Sequence, residues 1–252
     1  MRLVSLNTWK ADGDYPRRVR AMADGLAALS ADVIALQEDL RTADGLTHTA
    51  LALGRALAMH LAWVPARAKP RDVGMRRTMT TSGLAVLSRQ PVLEQRVIGL
   101  PQDARDGERV AQCLRLAGEG GDWWLVNLHL THLPDRADLR RAQVQEVLDG
   151  VDRWAGTLPV VLCGDFNASP EQADIALWLQ PRGPLADVFA GRPKVTHHTE
   201  AGVACNLDHI FVRTADGAPP VAVRSAAVVL DQPDAHGVMP SDHFAVCADL
   251  SL

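Results

Sequence analysis

Short apolar segments of strand length recur along the whole chain, and polar or ionisable residues stand at or near their ends. Asn7 and Glu38 close the first two segments, and Asp165 follows the apolar run Val160–Cys163. The other members of the pattern are Asn127, His129, Asn167, Asp208, Asp242 and His243. Strand ends combine a rigid backbone with accessible side chains, so α/β proteins collect ligand-binding groups there. The pattern predicts a site assembled from many strand ends.

The order of the segments predicts two β-sheets packed face to face with helices outside them. Strands are expected at Arg2–Leu6, Val33–Leu36, Gly83–Ser88, Leu93–Gly99, Arg109–Leu116, Trp123–Leu130, Val160–Cys163, Leu207–Val212, Val221–Val229 and Phe244–Leu250. Helices are expected after Pro16, at Thr47–Met59, after Pro134 and at about Glu171–Leu179. Because no repeat, low-complexity tract or long linker interrupts the chain, residues 1–252 are expected to form one domain.

The composition excludes several classes of protein. The 252 residues are 47% hydrophobic and 22% charged, which excludes a disordered chain, a collagen and a coiled coil. A formal net charge of −4 gives no overall attraction for nucleic acid or anionic membranes, so polyanion binding requires a local basic patch. The most apolar stretch, Leu51–Val64, contains Arg55 and His60 and falls short of the roughly 20 apolar residues of a membrane span.

The cysteines and the N-terminus indicate the compartment. Cys113, Cys163, Cys205 and Cys247 lie far apart, and three of them occur in apolar runs. They are expected to be buried free thiols, with disulfides or zinc as the alternative. The N-terminus lacks the apolar core of a signal peptide, so a cytoplasmic location is predicted. No sequence feature indicates an obligate protein partner.

The donor atoms at the strand ends suit a hard divalent cation. Asn7, Glu38, Asp165, Asn167 and Asp242 offer oxygen atoms and no thiolate, the ligand set of Mg²⁺ or Mn²⁺. Since Mg²⁺ commonly binds through one or two carboxylates plus a substrate phosphate, the set indicates phosphoester hydrolysis. Each residue alone has a structural alternative, as a turn residue, a surface charge or a buried histidine. Their joint occurrence at so many strand ends favours the functional interpretation.

These residues lie within a series of short motifs. The motifs are Leu6–Trp9, Asp32–Glu38, Gly83–Arg89, Val126–His132, Gly164–Pro170, Leu207–Val212 and Ser241–His243. In this order they resemble the motifs of the endonuclease/exonuclease/phosphatase superfamily across nearly the whole chain, although Leu84 stands where that family commonly has Asn. The resemblance implies a deoxyribonuclease-I-like fold. This is a four-layer α/β/β/α sandwich of two packed mixed β-sheets flanked by helices.

The resemblance also implies how the metal ion and the attacking water are held. Glu38 is expected to bind the metal, helped by Asn7 and Asp242. Asp165 is expected to orient and deprotonate the water that attacks phosphorus in line. A carboxylate close to Mg²⁺ has a lowered pKa, so positioning is expected to matter more than basicity.

A second group is expected to act on the phosphate. His243 faces the scissile phosphate in this interpretation, where it stabilises charge or transfers a proton. Asp208 is expected to pair with the other ring nitrogen and fix its tautomer. Asn167 is expected to hydrogen-bond a phosphate oxygen or the water, and His129 to add a hydrogen bond to the phosphate.

Three further residues are candidates for substrate binding. Arg109 resembles a family arginine that approaches the phosphate, with a surface ion pair to Glu108 as the alternative. Arg140 and Gln143 match an R-x-x-Q pattern on the helix after the His129 strand, with packing on the helix surface as the alternative. His132, His197 and His198 are interpreted either as cleft residues or as solvated loop histidines.

The motifs do not select a substrate, because nucleases, deadenylases, sphingomyelinases and phosphatases of the family share them. The prediction is a phosphodiesterase, nuclease or phosphatase that acts on nucleic acid or on a small phosphorylated molecule. Lipid head groups and a catalytically silent binding module of the same fold are the alternatives. The segment Ala66–Thr81 is expected to be a mobile basic loop over the site, either following phosphates or simply solvated. Its charged residues are Arg67, Lys69, Arg71, Asp72, Arg76 and Arg77.

Overall fold

The computed structural model describes residues 1–199, 201–213, 217 and 220–252. The strands are β1 (Arg2–Asn7), β2 (Val33–Thr42), β3 (His60–Val73), β4 (Arg76–Ser88), β5 (Glu94–Gly99), β6 (Val110–Gly118), β7 (Gly121–His129), β8 (Val160–Asp165), β9 (Leu185–Asp187), β10 (His197–His198), β11 (Ala204–Cys205), β12 (Asp208–Arg213), β13 (Ala222–Val229) and β14 (Ala245–Ser251). The helices are α1 (Tyr15–Leu29), α2 (Thr49–Leu57), α3 (Ala137–Trp154) and α4 (Ala173–Ala176). None of the described helices has the length and apolar character needed to cross a bilayer.

Two six-stranded sheets form the centre of the molecule. The first sheet has the strand order β13-β14-β1-β2-β4-β3, and the second has the order β5-β6-β7-β8-β12-β9. Side chains alternate between the two faces of a strand, so Ile34 of β2 packs with Met22 of α1 while its neighbour Ala35 packs between the sheets. On the second sheet, Leu162 of β8 packs with Val147 of α3. The predicted four-layer sandwich is confirmed.

The strand directions bring many strand ends to one edge of the sandwich. β1 and β2 run parallel in the first sheet, and β7 and β8 run parallel in the second. β14 is antiparallel to β1, and β12 is antiparallel to β8, so these two strands begin where their neighbours end. Asp208 at the start of β12 therefore lies opposite Asp165 at the end of β8.

A buried polar bridge joins the two sheets. The side chain of Gln37 on β2 donates to Asn127 Oδ1 on β7 over 2.7 Å. Asn127 Nδ2 donates in turn to the carbonyl oxygens of Leu36 and Ala85, at 3.1 and 3.0 Å. The sequence pattern placed Asn127 with the site residues, and the structure corrects this: its amide satisfies backbone groups of the first sheet.

The apolar run predicts that strand β2 ends at Gln37 and Glu38. In the structure β2 continues to Thr42. The pairing register with β4 shifts between Leu36 and Asp39, which is the irregularity of a β-bulge. The bulge places Glu38 outside the regular ladder without ending the strand.

The segment Ala66–Thr81 is a β-hairpin and not the predicted loop. Strands β3 and β4 pair from His60 and Ser88 up to Val73 and Arg76, with Gly74 at a positive φ of 59° in the turn. The apolar alternation of a half-buried strand is absent here because most side chains at this end of the hairpin are exposed or half-buried. In this part of the hairpin, charged residues alternate along the strand in place of apolar ones.

The cysteines agree with the prediction of free thiols. All four are unpaired, and Cys113, Cys163 and Cys247 are buried. Cys205 is half-buried on β11 and departs from the prediction of burial.

Gly164 is the position where the ladder beside the site requires glycine. Its φ is 141°, and a Cβ atom built on it would lie 1.9 Å from the carbonyl oxygen of Leu128. Leu128 is the partner of Gly164 on the parallel strand β7, so the clash would be with backbone that cannot move alone. Close approach of β7 and β8 thus depends on the absence of a side chain just before Asp165.

We expect Gly164→Ala to lower the free energy of unfolding by at least about 2 kcal/mol, because both the backbone angle and the Leu128 carbonyl oppose the added methyl. Chemical denaturation followed by circular dichroism measures this change. Gly99→Ala is the matched control, since a Cβ at this β5 glycine meets no atom within 4 Å. Equal stability of the two variants would contradict the role assigned to Gly164.

Candidate active site

The strand ends of the two large sheets meet in a cleft of about 470 Å³. The predicted residues that line it are Asn7, Glu38, Arg109, His129, Asp165, Asn167, Asp242 and His243. Asp208 is fully buried and lies behind His243, to which it is hydrogen-bonded. The structure therefore brings together every predicted metal-binding and catalytic residue, with contributions from both sheets.

Asp165 lies at the centre of the cluster, buried at the end of β8. Its Oδ2 accepts a hydrogen bond from Asn7 Nδ2 over 3.0 Å, and its Oδ1 accepts one from the backbone N–H of Asn167 over 2.9 Å. The Nε2 atoms of His129 and His243 lie 3.5 and 3.8 Å from Oδ2. One carboxylate oxygen thus faces a carboxamide and two imidazoles.

His243 and Asp208 form a buried pair beside it. His243 Nδ1 lies 2.9 Å from Asp208 Oδ2, so the ring presents Nε2 towards Asp165. The other oxygen of Asp208, Oδ1, is buried without a side-chain or backbone partner in the described part of the chain. This geometry fixes the orientation of the imidazole and the nitrogen that it offers to the cleft.

Burial and neighbouring charges shift the proton affinities of these groups. Burial, with the nearby charge of Asp208, raises the pKa of Asp165 to about 7. Burial opposes protonation of His243, but the carboxylate of Asp208 outweighs it and raises the pKa of His243 to about 10. Burial, aided by the charge of Arg109, holds the pKa of His129 well below its usual value. These shifts favour the protonated form of His243 and the neutral form of His129, and they oppose ionisation of Asp165.

The three predicted metal ligands line the cleft together. Burial raises the pKa of Asp242, and the charge of Glu38 adds to this rise against the opposing effect of His243. Glu38 Oε1 lies 2.5 Å from Lys10 Nζ, so an ammonium group occupies a position where a metal cation would also be attracted. Two carboxylates and the carboxamide oxygen of Asn7 form a set of hard oxygen donors that fits Mg²⁺ or Mn²⁺.

His243 also belongs to two compact groups of ligand atoms, which are Asp165–Asp208–His243 and His197–Asp242–His243. In the first group, the hydrogen bond to Asp208 already engages His243 Nδ1. In the second, His197 Nδ1 is bonded to the carbonyl oxygen of Asp242 over 3.0 Å. Because imidazole nitrogen is a poorer ligand than carboxylate for a hard cation, the oxygen donors around Glu38 fit better.

The backbone is strained at several cleft residues. Trp9, Lys10, Glu38 and Asn167 have φ values of 53°, 45°, 56° and 51°, in the left-handed region that residues other than glycine seldom adopt. Such conformations cost roughly 1–3 kcal/mol each and tend to cluster at functional sites. At Glu38 the strain coincides with the bulge in β2, and together they turn the carboxylate into the cleft.

Arg109 stands on the cleft wall, and its partner is Asp106, not the predicted alternative Glu108. Arg109 Nε donates to Asp106 Oδ2 over 3.0 Å, and a second guanidinium nitrogen lies 2.6 Å from Oδ1. His132 Nδ1 lies 2.8 Å from the same carboxylate. Burial opposes ionisation of Asp106, but these partners hold its pKa well below the usual value.

Arg140 and Gln143 lie behind the cleft and do not line it, so the prediction of substrate contact is corrected. Both side chains are buried on α3, so they do not lie on the helix surface, as the alternative interpretation expected. Arg140 is paired with Asp174 and donates to the carbonyl oxygen of Leu133 over 2.9 Å. Gln143 accepts from the backbone N–H of Thr131 over 2.9 Å. These bonds hold the segment that follows His129.

The sequence did not single out Lys10 or Asp106, and it left His197 undecided. Lys10 follows the first motif closely, but its contact with Glu38 depends on the turn after β1. His197 lines the cleft, and its ring lies 4.5 Å from that of His243. His132 also lines the cleft. His198, which follows His197 in the chain, packs edge-on against Phe244.

We expect Asp208→Asn to lower the pKa of His243 by at least about two pH units in metal-free protein, because burial then acts without the opposing carboxylate. NMR titration of the imidazole protons measures this change. The folded wild type keeps His243 protonated above its ordinary pKa of 6.5. Protonation therefore stabilises the fold fully below about pH 6.5, and this stabilisation is lost as the pH rises through about 10.

Asp152→Asn is the control for this titration, because Asp152 pairs with Arg213 at the surface. An unchanged pKa of His243 in Asp208→Asn would show that another group raises it.

Comparisons with known proteins agree with the observed fold. Bovine (Bos taurus) tyrosyl-DNA phosphodiesterase 2 is 24% identical over 270 residues, which cover 99% of this chain and 68% of the relative. A crystal structure of humanised D. rerio tyrosyl-DNA phosphodiesterase 2 superimposes with a TM-score of 0.79 at 22% identity, covering 100% of this chain and 99% of the other. A mannosyl-6-phosphatase from Bacteroides thetaiotaomicron gives 0.74 at 20% identity, with both chains fully covered. At these identities the structural matches establish the fold.

The family follows from the sequence profile. Residues 4–243 match the profile of the endonuclease/exonuclease/phosphatase family, a range that contains every residue of the cleft discussed above. The chain belongs to the endonuclease/exonuclease/phosphatase family.

Proposed function

We propose that this protein hydrolyses phosphoesters with the help of Mg²⁺ or Mn²⁺, by in-line attack of water at phosphorus. The observation that carries this proposal is the position of Asp165. It lies between the His243–Asp208 pair and the oxygen donors of the other sheet, all around one cleft. This arrangement offers a base, an acid and a cation site to one reacting group.

The divalent cation would be held by Glu38 and Asp242, with the carboxamide oxygen of Asn7. When bound, it neutralises the charge that develops on the phosphate oxygens. Lys10 Nζ lies 2.5 Å from Glu38 Oε1, so the ammonium group would have to leave this oxygen for Glu38 to hold the cation. Few protein ligands leave room for water and substrate oxygens, as Mg²⁺ requires.

Asp165 would orient the attacking water and accept its proton. Hydrogen bonds from Asn7 and Asn167 hold its carboxylate in one position. A pKa of about 7 suits a base that works near neutral pH, and a cation nearby would lower it and shift the role towards positioning.

His243 would stabilise charge on the phosphate and donate a proton to the leaving oxygen. It is protonated at neutral pH, because the buried carboxylate of Asp208 raises its pKa to about 10. The same carboxylate keeps Nδ1 engaged, so Nε2 carries the proton that faces the cleft.

The remaining cleft residues would bind the phosphate. The neutral ring of His129 lines the cleft beside Asp165, as does the side chain of Asn167, whose Nδ2 donates to the carbonyl oxygen of Leu130 over 3.0 Å. Arg109 adds a positive charge on the wall, held in place by Asp106. The substrate is a phosphoester of nucleic acid or of a small molecule; the named relatives act on a DNA phosphodiester and on a sugar phosphate.

We expect Asp165→Asn and His243→Ala each to lower kcat by at least about a hundredfold without unfolding the protein, since each removes a proton-transferring or charge-stabilising group. The assay is a panel in Mg²⁺ and in Mn²⁺. It contains supercoiled plasmid, abasic duplex, single-stranded DNA, RNA, bis-p-nitrophenyl phosphate, inositol phosphates and sphingomyelin. Asp152→Asn, at an exposed carboxylate that pairs with Arg213 away from the cleft, is the matched control. Near-wild-type rates in either cleft variant would remove this mechanism.

We expect chelation of divalent cations to abolish turnover, and Glu38→Gln to weaken Mn²⁺ binding at least about tenfold, because it removes a charged ligand. Calorimetric titration with Mn²⁺ measures the second effect independently of activity. The surface variant Glu94→Gln, which alters an ion pair with Arg96, should bind Mn²⁺ like the wild type. Chelator-resistant turnover, or unchanged Mn²⁺ affinity in Glu38→Gln, would refute the assigned metal site.

A further inference from the structure

A row of positive charges lies on one wall of the cleft. Arg67, Lys69 and Arg71 occupy alternate positions of β3, so their side chains project from the same face of the hairpin. All three line the cleft that contains Asp165 and His243. Their alternation places neighbouring charges roughly 7 Å apart along the strand.

None of these cations has an acidic partner among the described residues. Arg67 donates to the backbone carbonyl oxygen of Asp106, and Arg71 donates to the hydroxyls of Thr80 and Ser82 at 2.6 and 3.1 Å. The Lys69 ammonium forms no hydrogen bond or ion pair in the described part of the chain. The two arginines are thus held in place by neutral acceptors, and neither forms a direct ion pair within the described residues.

The electrostatic environment of the row favours binding of an anion. Burial lowers the pKa of Lys69, and the charges of Arg71, Arg67 and Lys10 lower it further. Burial likewise lowers the pKa of Arg71. The charge of Glu38 attracts both groups, and that of Asp12 attracts Arg71 as well, but Glu38 is the residue assigned to the cation, whose charge would oppose the attraction by Glu38. The row therefore becomes more electropositive when the catalytic cleft is loaded.

Position separates this row from the scissile phosphate. Strand β4 lies between β2 and β3, so the backbone of the row stands about two ladder spacings, or roughly 10 Å, from the backbone of β2, the strand that carries Glu38. Asp165 and His243 belong to other strands, at the centre of the cleft. In the described part of the chain no hydrogen bond or ion pair joins Arg67, Lys69 or Arg71 to Asp165 or His243, so the row can contact a different phosphate from the one that the catalytic residues would hold.

We propose that Arg67, Lys69 and Arg71 form a subsite for a second, non-scissile phosphate, so that the substrate carries at least two phosphate groups. This inference rests on the proposed function, because the scissile phosphate is placed by the catalytic residues. The second phosphate comes either from the adjacent phosphodiester of an oligonucleotide or from a small bisphosphorylated molecule. Lys69, with no partner of its own, makes the direct ion pair, and the two arginines supply the surrounding field.

The test is a binding experiment in the Asp165→Asn background, where turnover is blocked. Calorimetry with Mg²⁺ compares two matched pairs of probes: the dinucleotide TpT against the trinucleotide TpTpT, and inositol 1-phosphate against inositol 1,4-bisphosphate. In at least one pair the two-phosphate probe should bind at least about tenfold tighter, and that pair identifies the source of the phosphate. The double variant Lys69→Gln/Arg71→Gln should reduce this preference to within about threefold.

Two controls separate the subsite from general charge and from misfolding. Arg77→Gln removes an exposed arginine of the same hairpin that pairs with Asp72 and does not line the cleft, so the preference should survive. Lys69→Arg/Arg71→Lys keeps both charges and should retain most of the preference that Lys69→Gln/Arg71→Gln loses. Thermal unfolding checks that each variant is folded.

The outcomes are distinguishable from those of the catalytic proposal. Equal affinity within both probe pairs, a preference that persists in the double variant, or no binding of any probe overturns the subsite. Turnover on the substrate panel judges the proposed function separately, because the binding experiment uses protein that lacks Asp165. An active enzyme without a two-phosphate preference would leave the hydrolysis proposal standing alone.

Discussion

The site depends on the alignment of two sheets whose strands belong to different parts of the chain. Asn7 on the first sheet donates to Asp165 on the second, and His243 before β14 bonds to Asp208 at the start of β12. A small sliding of one sheet over the other would break both bonds. The buried amide pair of Gln37 and Asn127, which also crosses between the sheets, opposes such sliding because its polar atoms would lose their partners.

The chemistry of the cleft follows from the burial of two carboxylates, those of Asp165 and Asp208, with the imidazole of His243 between them. Asp165 and Asp208 lie opposite each other on neighbouring strands, both out of contact with solvent. Two adjacent buried carboxylates cannot both be ionised cheaply, and His243 supplies the positive charge that makes the pair tolerable. Protonation of the imidazole is therefore part of what holds the two strand ends and the start of β14 together.

Apolar strands and the polar residues at their ends could be predicted from the sequence, because burial on both faces leaves a continuous apolar run such as Val160–Cys163. The β3–β4 hairpin could not, since its exposed end alternates charges instead of apolar residues. The positions of Lys10 and His197 depend on strained turns and on tertiary approach to Glu38 and His243, which leave no periodic pattern. Arg140 matched a motif, but only its partner Asp174 reveals a structural role.

The strand order also sets when the cleft can exist during synthesis. β1 lies between β2 and β14, which are formed by segments near opposite ends of the described chain. His243 is carried into place only when β14 docks beside β1, a contact between residues more than 240 positions apart, as in the pair Arg2 and Asp249. A ribosome-bound chain lacking β14 would present Glu38 and Asp165 without the imidazole. Such topology delays assembly of the cleft until this strand has been synthesised, so under the proposed function a growing chain would acquire hydrolytic activity only at the end of this step.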